Sequence, residues 1–365
     1  MNREIVIVGA SLSGLASACA LHRRGFSVRV FERAQEGFET RGGGLGLDVE
    51  LAQQVTGGRT PPHLVLGRRR VWHQGSVWEE KVQERVTAYG ALWRWFASHL
   101  PAGTLHLGEA VLGLQETPTD LCVTLAGDRQ IRCELAVVAD GGQGSSLAWF
   151  PRGMPRFAGY VLWRGLCPIA HLPEPAALDD TLAIARNGDR HFVAYHIPPY
   201  DGASEPHRRL VNWGCYILTE EAEARSLMQV RGRSLVPHAL ESGAPEHWER
   251  ALARDAPGWP QWRQDLVETT ARHGMIAPHP VFELEPQRLR GERVALVGDC
   301  AHLASPITGS GARMAFGDAI ALAESLAQPT ELREALARYE ALRLPEVRAV
   351  VARGQQFSAS LRAHH

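Results

Sequence analysis

The chain opens on an almost continuous apolar run. The segment "EIVIVG", residues 4–9, is rich in β-branched side chains, which is typical of a strand buried on both faces of a parallel sheet. "SGLASACALHRRG" follows with small and apolar residues at helical spacing and ends at Gly25, and "SVRVFERA" then predicts a second strand. Together these segments predict a βαβ unit that begins a doubly wound α/β fold.

The buried-strand pattern returns in "LAVVADGG" (135–142) and in "ERVALVGDC" (292–300), each time with an acidic residue beside glycine at its end. Because the carboxyl ends of parallel strands meet at one edge of a sheet, we expect both ends to lie beside the first turn. The glycine-rich "TRGGGLGLD" (40–48) predicts a loop, since each glycine would cost about 1 kcal/mol inside a helix.

The pattern changes between residues 157 and 218 to short alternating runs separated by Pro, Gly and Asp, which predicts an antiparallel sheet. Helices are expected over 222–270 and again after Gly311, with a break or kink at Pro345. Since the chain returns to a buried strand at 293, the second lobe is predicted to be inserted into the first.

Composition narrows the class of protein. With 365 residues, of which 45% are hydrophobic and 22% charged, the chain is long enough for two lobes around a cleft. Its 39 basic and 40 acidic residues nearly cancel, so we expect no nucleic-acid partner, and no segment demands a membrane. The six cysteines are scattered without metal-ligand spacing, so we expect no metal site, buried thiols and a cytoplasmic location.

The turn after the first strand carries a variant of G-x-G-x-x-G, in which Gly9 and Gly14 keep the outer places and Ser11 takes the middle one. In such a turn the outer glycines permit a tight bend and close helix packing, and the helix N-terminus attracts a pyrophosphate. Glu32 ends the second strand, where a carboxylate accepts the ribose hydroxyls of an ADP group. The pattern predicts FAD or NAD; the alternative is a merely structural turn.

A second glycine-rich site lies late in the chain, in "VALVGDCAHLASPITGSGARMAFGDAIALAESL" (294–326). A buried strand leads to Asp299, which is placed to accept a ribityl or ribose hydroxyl. Gly309 and Gly311 then open a long helix whose exposed amides suit negative charge. A nicotinamide-binding fold needs no such second site, so the late motif favours FAD.

The late motif reads G-D-x-x-H-x-x-x-P-x-x-G-x-G, and the residues that carry it are Gly298, Asp299, His302, Pro306, Gly309 and Gly311. It resembles the flavin motif of the group A, single-component FAD-dependent aromatic hydroxylases, the fold family of para-hydroxybenzoate hydroxylase. The resemblance spans nearly the whole chain and includes "RGGGLGL" and "ADGGQGS". The middle serine and "GYVLWRG" (159–165) are similar to the 2,6-dihydroxypyridine 3-hydroxylases within that family.

The resemblance implies an α/β fold with three parts. A Rossmann-like FAD-binding domain of the GR2 type would comprise 1–62, 83–150 and 284–330. An inserted substrate-binding domain built on an antiparallel sheet would comprise 63–82 and 151–283. A C-terminal helical segment, 331–365, would complete the chain.

The resemblance also implies which residues hold FAD. The first turn would hold the ADP half, Arg94 the pyrophosphate and Asp299 the ribityl chain, and the amides from Gly309 to Arg313 would lie beside the isoalloxazine. The implied cofactor-binding residues are Gly9, Ser11, Leu12, Ser13, Gly14, Glu32, Arg33, Arg41, Arg94, Val111, Asp299, Pro306, Gly309, Ser310, Gly311, Ala312 and Arg313. Gly144 and Leu147 stand where many relatives carry serine and arginine, so that loop receives no pyridine-nucleotide role.

The sequence leaves the catalytic residue unknown. Candidates are His302, His196 and Tyr195, although a histidine in the late motif more often makes a structural hydrogen bond. Because strand side chains alternate, only one of Tyr195 and His196 is expected to face the substrate. The candidates for the substrate pocket are Tyr195, Trp213, Tyr216 and Arg164.

The implied chemistry belongs to the flavin. NADH or NADPH would reduce FAD, and the reduced flavin and O2 would form a C4a-hydroperoxide that hydroxylates a small aromatic or N-heteroaromatic, phenol-like substrate. Epoxidation or Baeyer-Villiger oxidation by the same hydroperoxide is an alternative, as is a non-catalytic flavoprotein. An NAD-dependent dehydrogenase would instead be colourless. A monomer or a homodimer is expected.

Overall fold

The computed structural model describes residues 4–73, 75–117, 119–142, 144, 146, 149–150, 153–172, 178–187, 190–229, 252, 258–273 and 275–363. The described strands are β1 Glu4–Val8, β2 Ser27–Glu32, β3 Gly44–Gly46, β4 Leu64–His73, β5 Ser76–Ala88, β6 Leu105–Leu107, β7 Val111–Glu116, β8 Leu121–Leu125, β9 Gln130–Cys133, β10 Leu135–Val138, β11 Arg156–Pro168, β12 Thr181–Asn187, β13 Arg190–Ile197, β14 Leu210–Leu218, β15 Ile276–Glu283 and β16 Val294–Leu296. The described helices are α1 Leu12–His22, α2 Val49–Thr56, α3 Tyr89–Ala97, α4 Glu221–Gln229, α5 Gln261–Arg272, α6 Gly311–Leu326 and α7 Leu332–Ala363.

The first lobe is built on a parallel sheet with the strand order β16-β10-β1-β2-β6. The predicted βαβ unit is present as β1, α1 and β2, and both later apolar runs join the same sheet as β10 and β16. Helix α1 is buried through Leu21, and its small residues let it pack against both the sheet and α6. A three-stranded antiparallel sheet, β7-β8-β9, completes this lobe.

The second lobe is built on an eight-stranded sheet with the order β15-β11-β14-β13-β12-β4-β5-β3. All its neighbouring strands run antiparallel except β12 and β4, which pair in parallel. The antiparallel sheet predicted over 157–218 is therefore present, and it is larger than the alternating pattern alone indicates. Helix α5 packs against one face of it, at β11.

Two sequence expectations differ from the structure, and of the break or kink expected at Pro345 the structure excludes the break. The glycine-rich segment is not only a loop, because Gly44–Gly46 pairs with the end of β5 as a short strand. The predicted boundary at residue 83 falls inside the continuous strand β5. Pro345 does not end the C-terminal helix, because α7 runs through it. The buried side chains of Tyr339, Val347 and Val350 anchor α7 on both sides of the proline and offset its cost of about 3 kcal/mol.

Helix α7 joins the two lobes. Its first half packs on α6, and its last turns reach the sheet of the second lobe, where Phe357 and Leu361 contact a cluster around Tyr160 and Tyr216. All six cysteines are free thiols, and five of them are buried. None of the helices in the described part of the chain is long and apolar enough to cross a membrane.

Candidate active site

The first turn has a backbone conformation that requires glycine. Gly9 ends β1 with a φ of 95°, and a Cβ on it would lie 2.7 Å from the carbonyl oxygen of Ala139. A Cβ on Gly14 would lie 2.0 Å from the carbonyl oxygen of Gly9, closer than atoms can approach. The outer glycines therefore let the chain turn tightly and let α1 begin directly at the edge of the sheet.

The middle place of the turn has room for a small polar side chain. Ser11 is the N-cap residue of α1, and its hydroxyl lies 3.2 Å from the hydroxyl of Ser13. Leu12 and Ser13 form the first turn of the helix, whose backbone amides have no acceptor within the helix itself. Ser11 thus places a hydroxyl at the helix N-terminus without filling the space that the glycines keep open.

Glu32 stands at the carboxyl end of β2, as the sequence predicts. Its two carboxylate oxygens accept hydrogen bonds from the backbone amides of Ala10 and Ala34, both at 2.9 Å. Each oxygen keeps a further lone pair, so the carboxylate can also accept from hydroxyl groups. The adjacent Arg33 side chain is exposed.

Tyr89, the first residue of α3, also reaches this turn, and sequence reasoning missed it. Its hydroxyl lies near the backbone of Leu12 and near Ser11, and both lower the pKa of the phenol. Burial raises the pKa of Tyr89, and the carboxylates of Asp299 and Glu32 raise it further, so the phenol is neutral at physiological pH. No sequence motif indicates this contact, because it depends on how α3 packs against α1.

Arg94, which the resemblance assigns to the pyrophosphate, has an exposed side chain on α3 and lies close enough to Asp201 to lower the pKa of that carboxyl. Arg41 lies farther along the chain, with its guanidinium 4.9 Å from the centre of the Phe38 ring. Val111 is buried in the core of the first lobe.

The late motif lies directly against the first turn. Gly298 has a φ of 62°, and a Cβ on it would lie 2.6 Å from the Ser13 hydroxyl oxygen. Asp299 follows in a short 3-10 turn, and its side chain reaches solvent beside that contact. The protein around its carboxyl raises the pKa of Asp299 by desolvation, and the nearby His302 opposes this shift. The two glycine motifs thus form one continuous recess.

His302 is buried behind the recess and makes a structural contact. Its Nε2 lies 2.8 Å from Oδ2 of Asp318, and both side chains are 0% exposed. The same carboxylate accepts from the Gly298 amide at 2.9 Å and from Nε of Arg343 at 2.9 Å. Because its side chain is fully buried, His302 has no access to a substrate. The prediction of His302 as a candidate catalytic residue is therefore wrong.

The buried carboxylate of Asp318 is ionised. Burial alone would raise the pKa of Asp318, but His302, Arg343 and the Gly298 amide outweigh it and hold the pKa below its ordinary value. Arg343 also pairs with Glu346 on the same helix. The late motif is therefore held in place by charges from α6 and α7.

The N-terminus of α6 is open. Pro306, Gly309, Gly311 and Arg313 are exposed, and among the described residues no atom outside the adjacent backbone lies within 4 Å of a Cβ built on Gly309 or Gly311. Ser310 is the N-cap residue, and Ala312 lies in the first turn with unsatisfied backbone amides. The Arg313 side chain is directed to Asp48 at 3.6 Å and to Glu346 at 3.7 Å.

The glycine-rich segment crosses from this open helix end to the second lobe. Gly46 lies beside the carbonyl oxygen of Gly309, which is 3.4 Å from a Cβ built on Gly46. Two residues earlier, the amide of Gly44 donates to Oδ1 of Asn212 at 2.7 Å, and its carbonyl accepts from Arg164 at 3.0 Å. Tyr200 donates its hydroxyl to the carbonyl of Gly42 at 2.8 Å.

The large sheet presents different side chains on its two faces. Tyr195 pairs with Asn212 across β13 and β14, so both lie on the face that holds the glycine-rich segment. Tyr216 lies on the same face, against Tyr160. Trp213 and His196 lie on the opposite face, where Trp213 packs on Phe192 and donates to Thr270. The prediction that Trp213 lines the substrate pocket is therefore wrong, and of Tyr195 and His196 only Tyr195 faces the recess.

The polar groups on the recess side are neutral or cationic. Burial raises the pKa of Tyr195 and raises that of Tyr200 to about 12, although Arg164 opposes both shifts. Burial likewise raises the pKa of Tyr216. Arg164 forms no ion pair with any carboxylate among the residues that the structure describes. Around Gly44 this face consequently offers hydrogen-bond donors and the positive charge of Arg164.

The donors and spaces of the recess fit FAD. The turn at Gly9 and the helix N-termini at Ser11 and Gly311 offer amides to phosphate and to the flavin, and Glu32 offers lone pairs to ribose hydroxyls. The positions beside Gly309 and Gly311 that a side chain would fill are open. Leu147 of the "ADGGQGSSL" segment lies outside the described residues; within it, Ser146 donates to Asp140 at 2.6 Å.

Comparison with known proteins gives the same cofactor. Residues 263–354 match a family described as FAD binding domain, residues 157–243 one described as FAD binding domain-like, and residues 7–37 one described as NAD(P)-binding Rossmann-like domain. These three segments cover both glycine motifs and, in the large sheet, most of β11 and all of β12, β13, β14 and β15.

Similar proteins align over almost the whole chain. A 3-amino-4-hydroxybenzoate 2-monooxygenase of Streptomyces cremeus is 27% identical, over 97% of this chain and 86% of its own length. A 2,6-dihydroxypyridine 3-monooxygenase of Paenarthrobacter nicotinovorans is 23% identical, over 98% of this chain and 91% of its own length. The structure of 2,6-dihydroxypyridine-3-hydroxylase from Arthrobacter nicotinovorans superposes with a TM-score of 0.89 at 22% identity, covering 99% of this chain and 93% of that one.

The α/β fold with a Rossmann-like unit, an inserted sheet lobe and C-terminal helices is therefore confirmed, and so is the resemblance drawn from the motifs. FAD is the cofactor, and the reaction type is oxygen insertion at the expense of a nicotinamide nucleotide. The chain is a flavoprotein monooxygenase that is similar to the group A FAD-dependent aromatic hydroxylases.

Proposed function

We propose that the substrate is a small planar ring, aromatic or N-heteroaromatic, that carries at least one hydroxyl or oxo group, and that it is hydroxylated on the sheet side of the glycine-rich segment. The observation that carries this proposal is the position of that segment. Gly46 adjoins the open N-terminus of α6, whereas Gly44 is held by Arg164 and Asn212 on the large sheet. A flavin at the helix end and a ring on the sheet would thus meet across it.

The residues of the first lobe are proposed to bind FAD. The amides at the start of α1, with the hydroxyls of Ser11 and Tyr89, would hold the pyrophosphate, and Glu32 would accept the ribose hydroxyls. Asp299 would accept from the ribityl chain. When bound, FAD supplies the electron transfer from NAD(P)H and the activation of O2. The positive end of the α6 dipole would stabilise negative charge on the isoalloxazine.

The sheet face is proposed to orient the ring and exclude water. Tyr216 and the partly buried Ile307 belong to an apolar cluster at one end of this face. Tyr195 and Arg164 provide polar contacts at the other end, beside Gly44. Because the Tyr195 phenol is neutral, it can donate a hydrogen bond to a ring oxygen or accept a hydrogen bond from a ring hydroxyl. Exclusion of water protects the activated oxygen until it reaches the ring.

The test is substrate-stimulated turnover by the purified, FAD-loaded protein. NADH and NADPH oxidation would be measured with and without a panel of hydroxylated benzoates and hydroxypyridines, and the products would be analysed by mass spectrometry under isotopically heavy O2. We expect a yellow protein, stimulated oxidation, and one heavy oxygen atom in the product. Protein that stays colourless after incubation with FAD, or that oxidises NAD(P)H at one rate with every ring, would contradict the proposal.

Three finer expectations belong to the same proposal. The nicotinamide nucleotide is proposed to bind in the groove between the lobes. The protein is proposed to be a monomer or a homodimer, which light scattering coupled to size-exclusion chromatography decides. A cytoplasmic location, proposed from its six free thiols, is tested by cell fractionation.

A further inference from the structure

The glycine-rich segment is held at both backbone polar groups of one residue, Gly44, by side chains of the large sheet. Asn212 accepts from the Gly44 amide at 2.7 Å, and Arg164 donates to the Gly44 carbonyl at 3.0 Å. A Cβ on Gly43 would lie 2.4 Å from the Arg164 guanidinium and 2.7 Å from Asn212 Oδ1. Only glycine permits this close approach, so the consecutive glycines are matched to the two polar side chains.

The contact with Gly44 also fixes the orientation of the Asn212 amide. A backbone N–H can only donate, so the atom facing it must be the amide oxygen, and the NH2 group must point elsewhere. No described residue accepts a hydrogen bond from that NH2 group, although the Asn212 side chain is only 4% exposed. The nitrogen of that NH2 group keeps some accessible surface, so a ligand that supplies an acceptor can reach it.

Arg164, like Asn212, contacts Gly44 with only part of its side chain. One of its nitrogens donates to Gly44, and no carboxylate of the described residues neutralises its charge. The Tyr195 hydroxyl lies beside both groups. A Cβ built on Gly44 would lie 2.9 Å from the Tyr195 hydroxyl oxygen and 2.8 Å from Cγ of Asn212. The three side chains thus converge beside the glycine-rich segment, on the sheet side where the ring is proposed to bind.

We propose that Asn212 and Arg164 each have two functions: one end of each side chain holds the Gly44 peptide, and the other binds an oxygen acceptor on the substrate ring. This inference rests on the proposed function and specifies its substrate. The subsite favours rings with an oxo or oxyanion edge and disfavours rings that present amino groups there, because Asn212 and Arg164 both offer donors. Asn212 and Arg164 would thus set both the contact with the substrate and the position of the glycine-rich segment.

The decisive variant is Asn212→Asp. A carboxylate still accepts from the Gly44 amide but has no donor for the substrate, so FAD occupancy should stay at the wild-type level. Loss of one buried hydrogen bond should weaken ring binding about tenfold or more. Asn212→Leu, which removes both functions, should lower FAD occupancy and ring binding together. Trp213→Phe, on the next residue but the opposite sheet face, is the matched control and should bind rings as the wild type does.

Binding would be measured without turnover, by titrating the FAD-loaded proteins with 2,6-dihydroxypyridine, 3-hydroxybenzoate and 6-hydroxynicotinate and following the flavin absorbance. A matched pair of rings, 2,6-dihydroxypyridine and 2,6-diaminopyridine, tests the acceptor preference. Equal binding of that pair, or wild-type ring affinity in Asn212→Asp, would overturn the inference. So would loss of FAD from Asn212→Asp, or failure of every oxygen-bearing ring to bind the yellow wild type. Failure of the wild type to hold FAD would instead count against the proposed function.

Discussion

The buried carboxylate of Asp318 is predicted to be a main support of the flavin recess. It contacts His302, the Gly298 amide and Arg343 at 2.8 to 2.9 Å, with a side-chain exposure of 0%. Asp318→Asn keeps the shape but removes the charge, and leaves Arg343 with Glu346 as its remaining partner. Breaking a buried ion pair lowers the free energy of unfolding by about 3–5 kcal/mol. Because Arg343 keeps its ion pair with Glu346, we expect a loss of about 3 kcal/mol for Asp318→Asn.

The assay is urea unfolding of the FAD-loaded protein, with FAD affinity measured in parallel. Glu324→Gln on the same helix is the control, because Glu324 forms an exposed pair with Arg24 and should cost less than about 1 kcal/mol. The double variant Asp318→Asn with Arg343→Met should cost less than the sum of the single changes, since it also removes the buried cation that has lost its Asp318 partner. If Asp318→Asn costs no more than the control, the buried charges do not stabilise the late motif and the reasoning is wrong.

The pH dependence gives an independent check of the same prediction. The folded-state pKa of Asp318 is lowered, so its stabilisation is present above the pKa of the unfolded chain and is lost as pH falls through the folded value. The difference in unfolding free energy between wild type and Asp318→Asn should therefore be constant near neutrality and shrink below about pH 4. A difference that does not change with acidification would refute the ionised assignment.

Three further predictions concern the first turn and the far face of the sheet. Gly14→Ala should abolish FAD binding, because its Cβ would lie 2.0 Å from the Gly9 carbonyl oxygen; an FAD-saturated alanine variant in a flavin absorbance assay would contradict this. Ser11→Gly should retain FAD whereas Ser11→Leu should yield apoprotein, and full occupancy in the leucine variant would count against placing the pyrophosphate there. Burial lowers the pKa of His196 to about 4, so the folded protein keeps this imidazole neutral. The free energy of unfolding is therefore unaffected by His196 above about pH 6.5 and falls by roughly 1.4 kcal/mol per pH unit from there towards pH 4. His196→Leu should remove that slope from the pH dependence of urea unfolding, and an unchanged slope would show that His196 does not titrate there.

The sequence alone determined the elements whose signals are local. Gly9 and Gly14 are needed for steric reasons that the spacing already shows, and β1, α1 and β2 follow from the apolar pattern around them. The late motif likewise indicated a second site for one long cofactor, and the match to FAD binding domains confirms that choice. Turn geometry and hydrophobic periodicity depend on neighbours a few positions away, so they can be deduced without the fold.

Only the tertiary structure decided which side chains meet from distant parts of the chain. Alternation places Trp213 and Tyr216 on opposite faces of β14, but which face looks to the recess depends on α5 covering the other one. Tyr89 reaches the first turn, and Asn212 reaches Gly44 from 168 positions away, through the packing of separate elements. Such contacts depend on how whole elements pack, and the interval between two residues in the sequence carries no information about that packing.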